Sequence, residues 1–132
     1  MKKSSARITT AAARRGRPPS RESFEQRVRR IATSLPGVEV GTSYGTIGFR
    51  VRKKFLGRMK EDGETLVIRI EFGEREILCE GEPEVFYFTE HYRNYPAVLV
   101  RLAKVDDAEL LRLFEQAWRR AAPKSLLAQL NR

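Results

Sequence analysis

The amino-acid sequence predicts an α+β fold in which an antiparallel β-sheet carries helices packed on one face. Apolar residues recur at helical spacing near both ends of the chain, and strand-like alternation fills most of the stretch between them. Because the strands are grouped and do not alternate one by one with helices, a segregated antiparallel sheet is favoured over a doubly wound parallel sheet. At 132 residues and 41% hydrophobic content, the chain fits one domain with one core.

The first element is an amphipathic helix whose boundaries are expected near residues 21 and 34. Ser20 or Ser23 can cap it, and Ser23 stands in capping-box register with Gln26. The helix should end at Pro36-Gly37. Its apolar stripe consists of Phe24, Val28, Ile31, Ala32 and Leu35.

Strands are expected next. A glycine-framed loop at residues 41–45 precedes a strand in which Ile47, Phe49 and Val51 share one face. This strand begins a hairpin whose turn should lie near Lys53-Lys54 and whose return strand covers residues 55–59. A second turn at residues 61–64 leads into a strand at residues 65–70.

The second half of the sequence adds one short helix, two strands and the C-terminal helices. The pattern predicts a helix at residues 74–80, a strand at 85–89, a polar aromatic loop at 91–96 and an inner strand at 97–103. Asp106 with Glu109 marks the start of a long helix that carries Trp118 on its apolar stripe. Pro123 interrupts this helix, and Leu126, Leu127 and Leu130 suggest one or two further turns.

No segment is suited to the membrane or to secretion. The apolar runs, such as residues 97–100, are far shorter than the roughly 18 residues that cross a bilayer. One cysteine cannot form an internal disulfide, and the N-terminal residues lack the apolar centre of a secretory signal. The cytoplasm is the expected compartment, although the acid-free leader also fits a mitochondrial transit peptide if the source is eukaryotic.

Few residues are suited to catalysis or metal binding. A zinc site needs three or four converging ligands, and the chain has one His and one Cys. Cys79 lies in an apolar run, as a small buried hydrophobe does, and His91 has no obvious orienting acid. No Gly-Lys-Ser or Gly-Lys-Thr run precedes a helix as in a phosphate-binding loop. We therefore expect a protein that is not an enzyme and needs no metal or cofactor.

Positive charge is concentrated at the N-terminus. The formal net charge is +9; residues 1–19 contribute six cations and no acid, and residues 20–132 contribute 20 cations and 17 acids. Residues 1–19 are expected to form a disordered basic arm, and residues 20–132 a single domain. Polyanions are the expected partners.

The arm contains a motif with a known physical use. The run Arg14-Arg15-Gly16-Arg17-Pro18 resembles the AT-hook, whose Arg-Gly-Arg core enters the narrow minor groove of A·T-rich DNA. Glycine adds no bulk there, and the negative potential of the groove attracts both guanidinium groups. The alternative is a tail that only keeps the protein soluble.

A second basic segment is the predicted hairpin at residues 50–60. It has no acid, and a cationic hairpin of this kind can contact phosphates. The alternative is an ordinary solvated face, in which lysines protect an exposed strand from aggregation. The cations are Arg50, Arg52, Lys53, Lys54, Arg58 and Lys60.

The polar-tipped aromatic residues suggest a rival site. They could line a small cleft, stack on bases or close the core. If they line a cleft, the domain is a protein-interaction or small-ligand module without a nucleic-acid role. The residues of this possible cleft are Tyr44, His91, Tyr92, Arg93 and Tyr95.

Several separated motifs occur over about residues 22–128. They are Leu35-Pro36-Gly37, residues 41–45, Phe49-Arg50-Val51, His91-Tyr92, Tyr95-Pro96, residues 98–102 and Ala117-Trp118-Arg119. Together they resemble the MmcQ/YjbR-like family. The resemblance implies a compact α+β fold related to frataxin-like and secretion-chaperone-like sandwiches, and a "double-wing" DNA-binding role. One wing would correspond to the hairpin at residues 50–60, and the family supplies no catalytic residues to carry over. Glu90 and Asn94 depart from the family pattern, which has proline and glycine there.

The sequence as a whole favours a monomeric, non-enzymatic DNA-binding protein. Binding should depend on salt and show little sequence specificity beyond a preference for A·T-rich minor grooves.

Overall fold

The first helix, α1 (Phe24–Ala32), forms where its capping residues predict it. The computed structural model describes residues 22–130. In it the Ser23 hydroxyl accepts a hydrogen bond from the backbone N–H of Gln26, and the Gln26 side chain accepts one from the N–H of Ser23. This reciprocal capping box satisfies N–H groups that the start of a helix leaves open. Val28, Ile31 and Ala32 are buried, as the apolar stripe predicts.

Two tight hairpins follow, and they correct two details of the sequence-based prediction. Gly41 belongs to a strand paired opposite Gly48, so the loop expected at residues 41–45 is reduced to a turn at Tyr44 and Gly45. The second turn is at Arg52 and Lys53, one residue earlier than expected. All four turn residues have positive φ, from 49° to 82°, which is the backbone twist that two-residue hairpins require. The strands are β1 (Val38–Ser43), β2 (Thr46–Val51) and β3 (Lys54–Met59).

The remaining strands complete one six-stranded sheet in the order β1-β2-β3-β4-β6-β5, in which every neighbouring pair is antiparallel. The expected inner strand is confirmed as β6, between β4 and β5. The strand expected at residues 85–89 has only two residues, because the chain turns into a short 3-10 helix at Glu90–Tyr92. The elements are β4 (Thr65–Arg69), α2 (Phe72–Gly81), β5 (Phe86–Tyr87) and β6 (Ala97–Arg101).

The C-terminal helices α3 (Asp107–Ala121) and α4 (Lys124–Leu130) are separated at Pro123, as predicted. The Asp106 carboxylate accepts a hydrogen bond from the N–H of Glu109 and caps α3. Trp118 is fully buried, and its indole Nε1 donates to the carbonyl oxygen of Pro36 at 2.7 Å. This bond connects α3 to the chain that leaves α1.

An ion-pair network joins α1 to the start of α3. Arg27 donates to the Asp107 carboxylate at 2.6 Å and to the carbonyl oxygens of Leu102 and Val105. Burial alone would raise the pKa of the Asp107 carboxyl, but hydrogen bonds from Arg27 and Arg30 outweigh burial and lower that pKa. The network therefore holds two helices together on one face of the sheet.

The two faces of the sheet are covered unequally. Along β4, Leu66 and Ile68 face the main core beneath α1 and α3, whereas Val67 faces the other side. A smaller apolar cluster on that other side consists of Val67, Tyr92, Ala97 and Leu99. The expected packing of helices on one face is confirmed, and the segment after β5 covers only part of the opposite face.

A β-bulge in β3 determines on which side of the sheet the later residues of this strand lie. Phe49 pairs with Gly57 and Arg50 pairs with Phe55, so Leu56 is an extra residue in β3. Gly57 fits because a Cβ there would lie 2.8 Å from the carbonyl oxygen of Val67. After the bulge, Arg58 lies opposite Val67, on the side away from the helices.

Candidate functional site

Four cations lie in or beside the turn between β2 and β3, and none of them forms an ion pair with a carboxylate of the described residues. Arg52, Lys53 and Lys54 are exposed, and the half-buried Arg50 places its guanidinium carbon 6.0 Å from the centre of the Phe55 ring. Within residues 22–130, no carboxylate oxygen lies within 4.0 Å of their side-chain nitrogens. We call these four residues the hairpin tip.

Most arginines on the helices and next to the 3-10 helix, in contrast, form ion pairs with carboxylates. Arg30 contacts Glu22 at 2.8 Å, Arg93 contacts Glu90 at 2.8 Å and Arg120 contacts Glu74 at 2.6 Å. Over the described part of the chain, only the hairpin tip has four unpaired cations within five consecutive positions. The tip is therefore a local concentration of positive charge on a nearly neutral body.

The net charge of the described residues supports this contrast. Residues 22–130 contain 18 Lys and Arg against 17 Asp and Glu, which leaves +1. The preceding 21 residues contain seven Lys and Arg and no acid. The AT-hook-like run at residues 14–18, and the expected boundary between arm and domain at residues 19 and 20, lie outside the described residues.

The other two predicted hairpin cations lie away from the tip. Arg58 is only 9% exposed, and its Nη2 donates to the hydroxyl of Tyr92 at 3.0 Å. Lys60 is half-buried just beyond the far end of β3, roughly 20 Å along the strand from the turn at about 3.3 Å per residue. The structure thus brings together four of the six cations and separates Arg58 and Lys60 from them.

Arg58 is the centre of the predicted aromatic cleft. Its guanidinium carbon lies 5.2 Å from the centre of the Tyr44 ring, on the side away from the helices. The Tyr92 ring contacts the His91 ring edge-on at 4.8 Å between centres and lies 6.2 Å from the Tyr95 ring. Four of the five predicted cleft residues therefore form one group around an arginine that the sequence analysis placed in the hairpin site.

The remaining cleft residue, Arg93, is exposed and paired with Glu90. Tyr44 is the most accessible tyrosine of the group, with 84% of its surface exposed and a φ of 53°. A non-glycine residue in this conformation is uncommon and costs free energy, so the turn holds this ring outward at some expense in stability.

Sequence reasoning missed Arg75, which shapes the same region. Arg75 is 6% exposed and donates hydrogen bonds to the carbonyl oxygens of Tyr92, Arg93, Tyr95 and Ala97 at 2.8–3.1 Å. Its guanidinium also stacks on the rings of Phe88 and Phe72, at 3.9 Å and 4.9 Å. The available signal was helical spacing, because Arg75 precedes Leu78 and Cys79 by three and four positions on the inner side of α2.

The remaining chemistry-bearing side chains do not form a reactive centre within residues 22–130. No group of three or more His, Cys, Asp and Glu side chains in this range is arranged to hold a metal ion. Cys79 is half-buried against the main core, and burial raises the pKa of its thiol, which disfavours the reactive thiolate. No helix of the described range is long and apolar enough to span a membrane.

A comparison with protein-family models identifies the family. The model described as YjbR matches residues 33–120, from the end of α1 to the last turn of α3. The chain belongs to the YjbR family. The matched range contains both hairpins, Arg58, Arg75 and the cleft residues, whereas the basic arm lies outside it.

Two mycobacterial proteins that are similar to this YjbR protein are described as uncharacterized proteins. Proteins Mb2600 of Mycobacterium bovis and Rv2570 of Mycobacterium tuberculosis are each 38% identical to it over 72 residues, or 54% of this chain. The aligned part spans 56% of those relatives, only a little over half of their length.

One solved structure shares the fold. The crystal structure of Deinococcus radiodurans protein DR2400, with a domain of the DUF419 family, matches with a TM-score of 0.61 and 17% sequence identity. The match covers 74% of this YjbR chain and 76% of the other. At this level of identity the similarity supports the α+β fold alone.

Proposed function

We propose that this YjbR protein binds DNA and catalyses no reaction on it. The hairpin tip and the basic residues of the N-terminal arm would contact phosphates. The observation that supports the proposal is the group of four tip cations without carboxylate partners. An ion-paired arginine must give up its partner to bind a phosphate, whereas these four side chains are available.

The geometry of the tip suits contact with a phosphate backbone. Arg52 and Lys53 form the turn itself, so their side chains extend beyond the ends of the strands. Each phosphate that they neutralise would release condensed counterions, which makes the affinity fall with salt. Since residues 22–130 have a net charge of only +1, the long-range attraction would come mainly from the arm.

Sequence preference would come from the arm. The run Arg14-Arg15-Gly16-Arg17-Pro18 fits a narrow minor groove, whereas the tip has no arrangement that distinguishes bases. The proposal therefore combines weak A·T preference with general affinity for duplexes, and it assigns the cytoplasm as the working compartment.

A triple substitution tests the tip directly. We expect Arg52→Gln/Lys53→Gln/Lys54→Gln to weaken binding of a fluorescent duplex at least tenfold at low salt. The slope of log affinity against log salt should fall by about 0.9 for each lost phosphate contact. Fluorescence anisotropy over a salt series measures both quantities.

The matched control removes three charges elsewhere. Arg29, Lys104 and Lys124 are also exposed and without carboxylate partners in the described range, but they lie apart on α1, in the loop between β6 and α3, and on α4. Their joint replacement by Gln should lower affinity much less than the tip variant does. Equal losses in the two variants would mean that net charge matters and the tip does not.

A second candidate function is recognition of a protein or small ligand by the group around Arg58. The exposed ring of Tyr44, held at positive φ, is the observation that favours it. Under the DNA-binding proposal, Tyr44→Ala should leave duplex affinity unchanged. If Tyr44→Ala abolished duplex binding while the tip variant retained it, the DNA would contact the group around Arg58 and not the hairpin tip.

A further inference from the structure

A cavity of about 760 Å³ lies at one end of the sheet. It is located where β3 begins, β4 ends and the last turns of α3 pass. Its walls include Lys54, Arg69 and Arg120 together with Phe55 and Phe72. Its volume falls in the range of roughly 300–1,000 Å³ that is typical of small-molecule sites.

The charged groups of this cavity favour an anion. Lys54 and Arg69 have no carboxylate partner in residues 22–130, and neither forms a hydrogen bond through its side chain there. One carboxylate, Glu71, also lines the cavity, and it holds Arg120 at 3.5 Å together with Glu74 at 2.6 Å. Two cations are therefore available to a ligand, and the third is already compensated.

The apolar groups favour a flat body on the ligand. Phe72 is 46% exposed, Phe55 is half-buried, and both contribute to the wall. A ring placed against them would remove apolar surface from water, which stabilises the bound state in proportion to the area covered. Aromatic rings also favour offset or edge-on contact with one another.

We propose that this cavity binds a small organic anion that carries a phosphate or carboxylate together with an aromatic ring, as phenyl phosphate and nucleotides do. Lys54 and Arg69 contact the anionic group, and Phe55 and Phe72 contact the ring. Lys54 is shared with the hairpin tip, whereas Arg69 belongs to the cavity alone. The proposal does not depend on DNA binding, because a free ligand can enter the cavity without contacting the turn.

Phenyl phosphate is the simplest probe of both features. In a titration of the full-length protein followed by NMR, we expect saturable shifts of the Gly73 amide and of the Ala117 and Ala121 methyl groups, which line the cavity. Inorganic phosphate alone and phenol alone should bind at least tenfold more weakly. Shifts scattered over the surface, or equal affinity for inorganic phosphate, would overturn the proposal.

Two variants locate the site, and a third serves as a control. Arg69→Gln should weaken phenyl phosphate binding at least fivefold, whereas Lys104→Gln, which removes an unpaired cation outside the cavity, should not. Gly73→Leu should also block binding, because a Cβ at Gly73 meets no described atom within 4 Å and its side chain would occupy open space. Unchanged affinity in both Arg69→Gln and Gly73→Leu would refute the site.

Competition identifies the source of the anion. If a single-stranded oligonucleotide displaces phenyl phosphate from the wild-type protein, the cavity accepts a nucleotide of a polymer. If only free thymidine monophosphate displaces it, the ligand is a free molecule, and both outcomes support the site. If the DNA-binding proposal is wrong, the result is different. The wild-type protein then binds phenyl phosphate but does not bind a DNA duplex.

Discussion

The buried guanidinium of Arg75 connects α2 to the loop between β5 and β6. Three carbonyl oxygens of that loop, and that of Ala97 at the start of β6, accept its hydrogen bonds. Three of these four bonds come from Nη1, which carries only two hydrogens. One of these bonds is therefore shared between acceptors. The backbone hydrogen bonds within the loop are all local, so Arg75 supplies the bonds that hold the loop to α2.

Replacing Arg75 with Met should destabilise the fold by roughly 3 kcal/mol, because four carbonyl oxygens lose a hydrogen bond from a charged donor. The carbonyl oxygens of Tyr92 and Tyr95 each keep one bond from a backbone N–H. Chemical denaturation measures the free energy of unfolding. Arg101→Met is the matched control. Arg101 also stacks on an aromatic ring, that of Tyr87 at 4.0 Å, and donates hydrogen bonds to the carbonyl oxygens of Pro83 and Glu84. Unlike Arg75, it is exposed. A loss below 1 kcal/mol is expected for the control, and similar losses in both variants would contradict the role of Arg75.

The sequence could not assign Arg58 and Arg75 correctly, for two physical reasons. Alternation along β3 predicts the face of Arg58 only if the strand is regular, and the extra residue Leu56 changes that register. Arg75 lies in a helix with many charges, and its buried position depends on a loop that returns some 17–22 residues later. The tip cations, in contrast, were predictable, because a turn between two strands is exposed wherever the hairpin packs.

At the scale of elements, most helices and strands followed from local pattern. The capping residues Ser23 and Asp106, the alternation in β2 and β4 and the break at Pro123 each marked an element that the structure contains. Strand β1 was missed because it lies at the edge of the sheet and is mostly exposed. Its glycine, threonine and serine are typical of loops, and only pairing with β2 makes them a strand.

The second hairpin turn combines backbone strain with surface charge. Arg52 and Lys53 have φ values of 49° and 71°, a conformation that costs roughly 1–2 kcal/mol for residues other than glycine, with Asn and Asp less penalised. We expect Arg52→Asn/Lys53→Gly to stabilise the fold by about 1 kcal/mol, which raises the melting temperature by about 4 °C. Thermal unfolding measures this change.

The same variant should bind duplex DNA more weakly, because it lacks two of the four tip cations. A gain in stability together with a loss of affinity would separate the two roles of the turn. Unaltered or lower stability would show that the positive φ values carry no appreciable strain.

For the molecule as a whole, the charge is strongly asymmetric. Residues 71–84 contain six Glu and one Arg, whereas residues 50–54 contain four cations and no acid. A polyanion that approaches the hairpin tip is therefore attracted, and one that approaches α2 is repelled. If the protein binds DNA as proposed, this asymmetry would orient it on a phosphate backbone, even with a net charge of +1 in the described residues.

Removing residues 1–19 tests the contribution of the arm. The formal net charge falls from +9 to +3, and we expect duplex affinity to fall at least tenfold with a shallower salt dependence and no A·T preference. Arg15→Lys/Arg17→Lys is the matched control, because it keeps the charge and removes the Arg-Gly-Arg core. This control should retain affinity for duplexes of mixed sequence and lose the preference for A·T-rich duplexes. If the truncated protein binds DNA like the full-length protein, the arm has no role in binding.

The hydrogen bond between Trp118 and Pro36 has a practical consequence for all of these measurements. Trp118 is the only tryptophan of the chain and is inaccessible to water in the folded state. Its emission spectrum therefore reports separation of α3 from the segment that follows α1, with no extrinsic dye. The hairpin tip contains no tryptophan, so substitutions there can be compared by intrinsic fluorescence against an unaltered optical background.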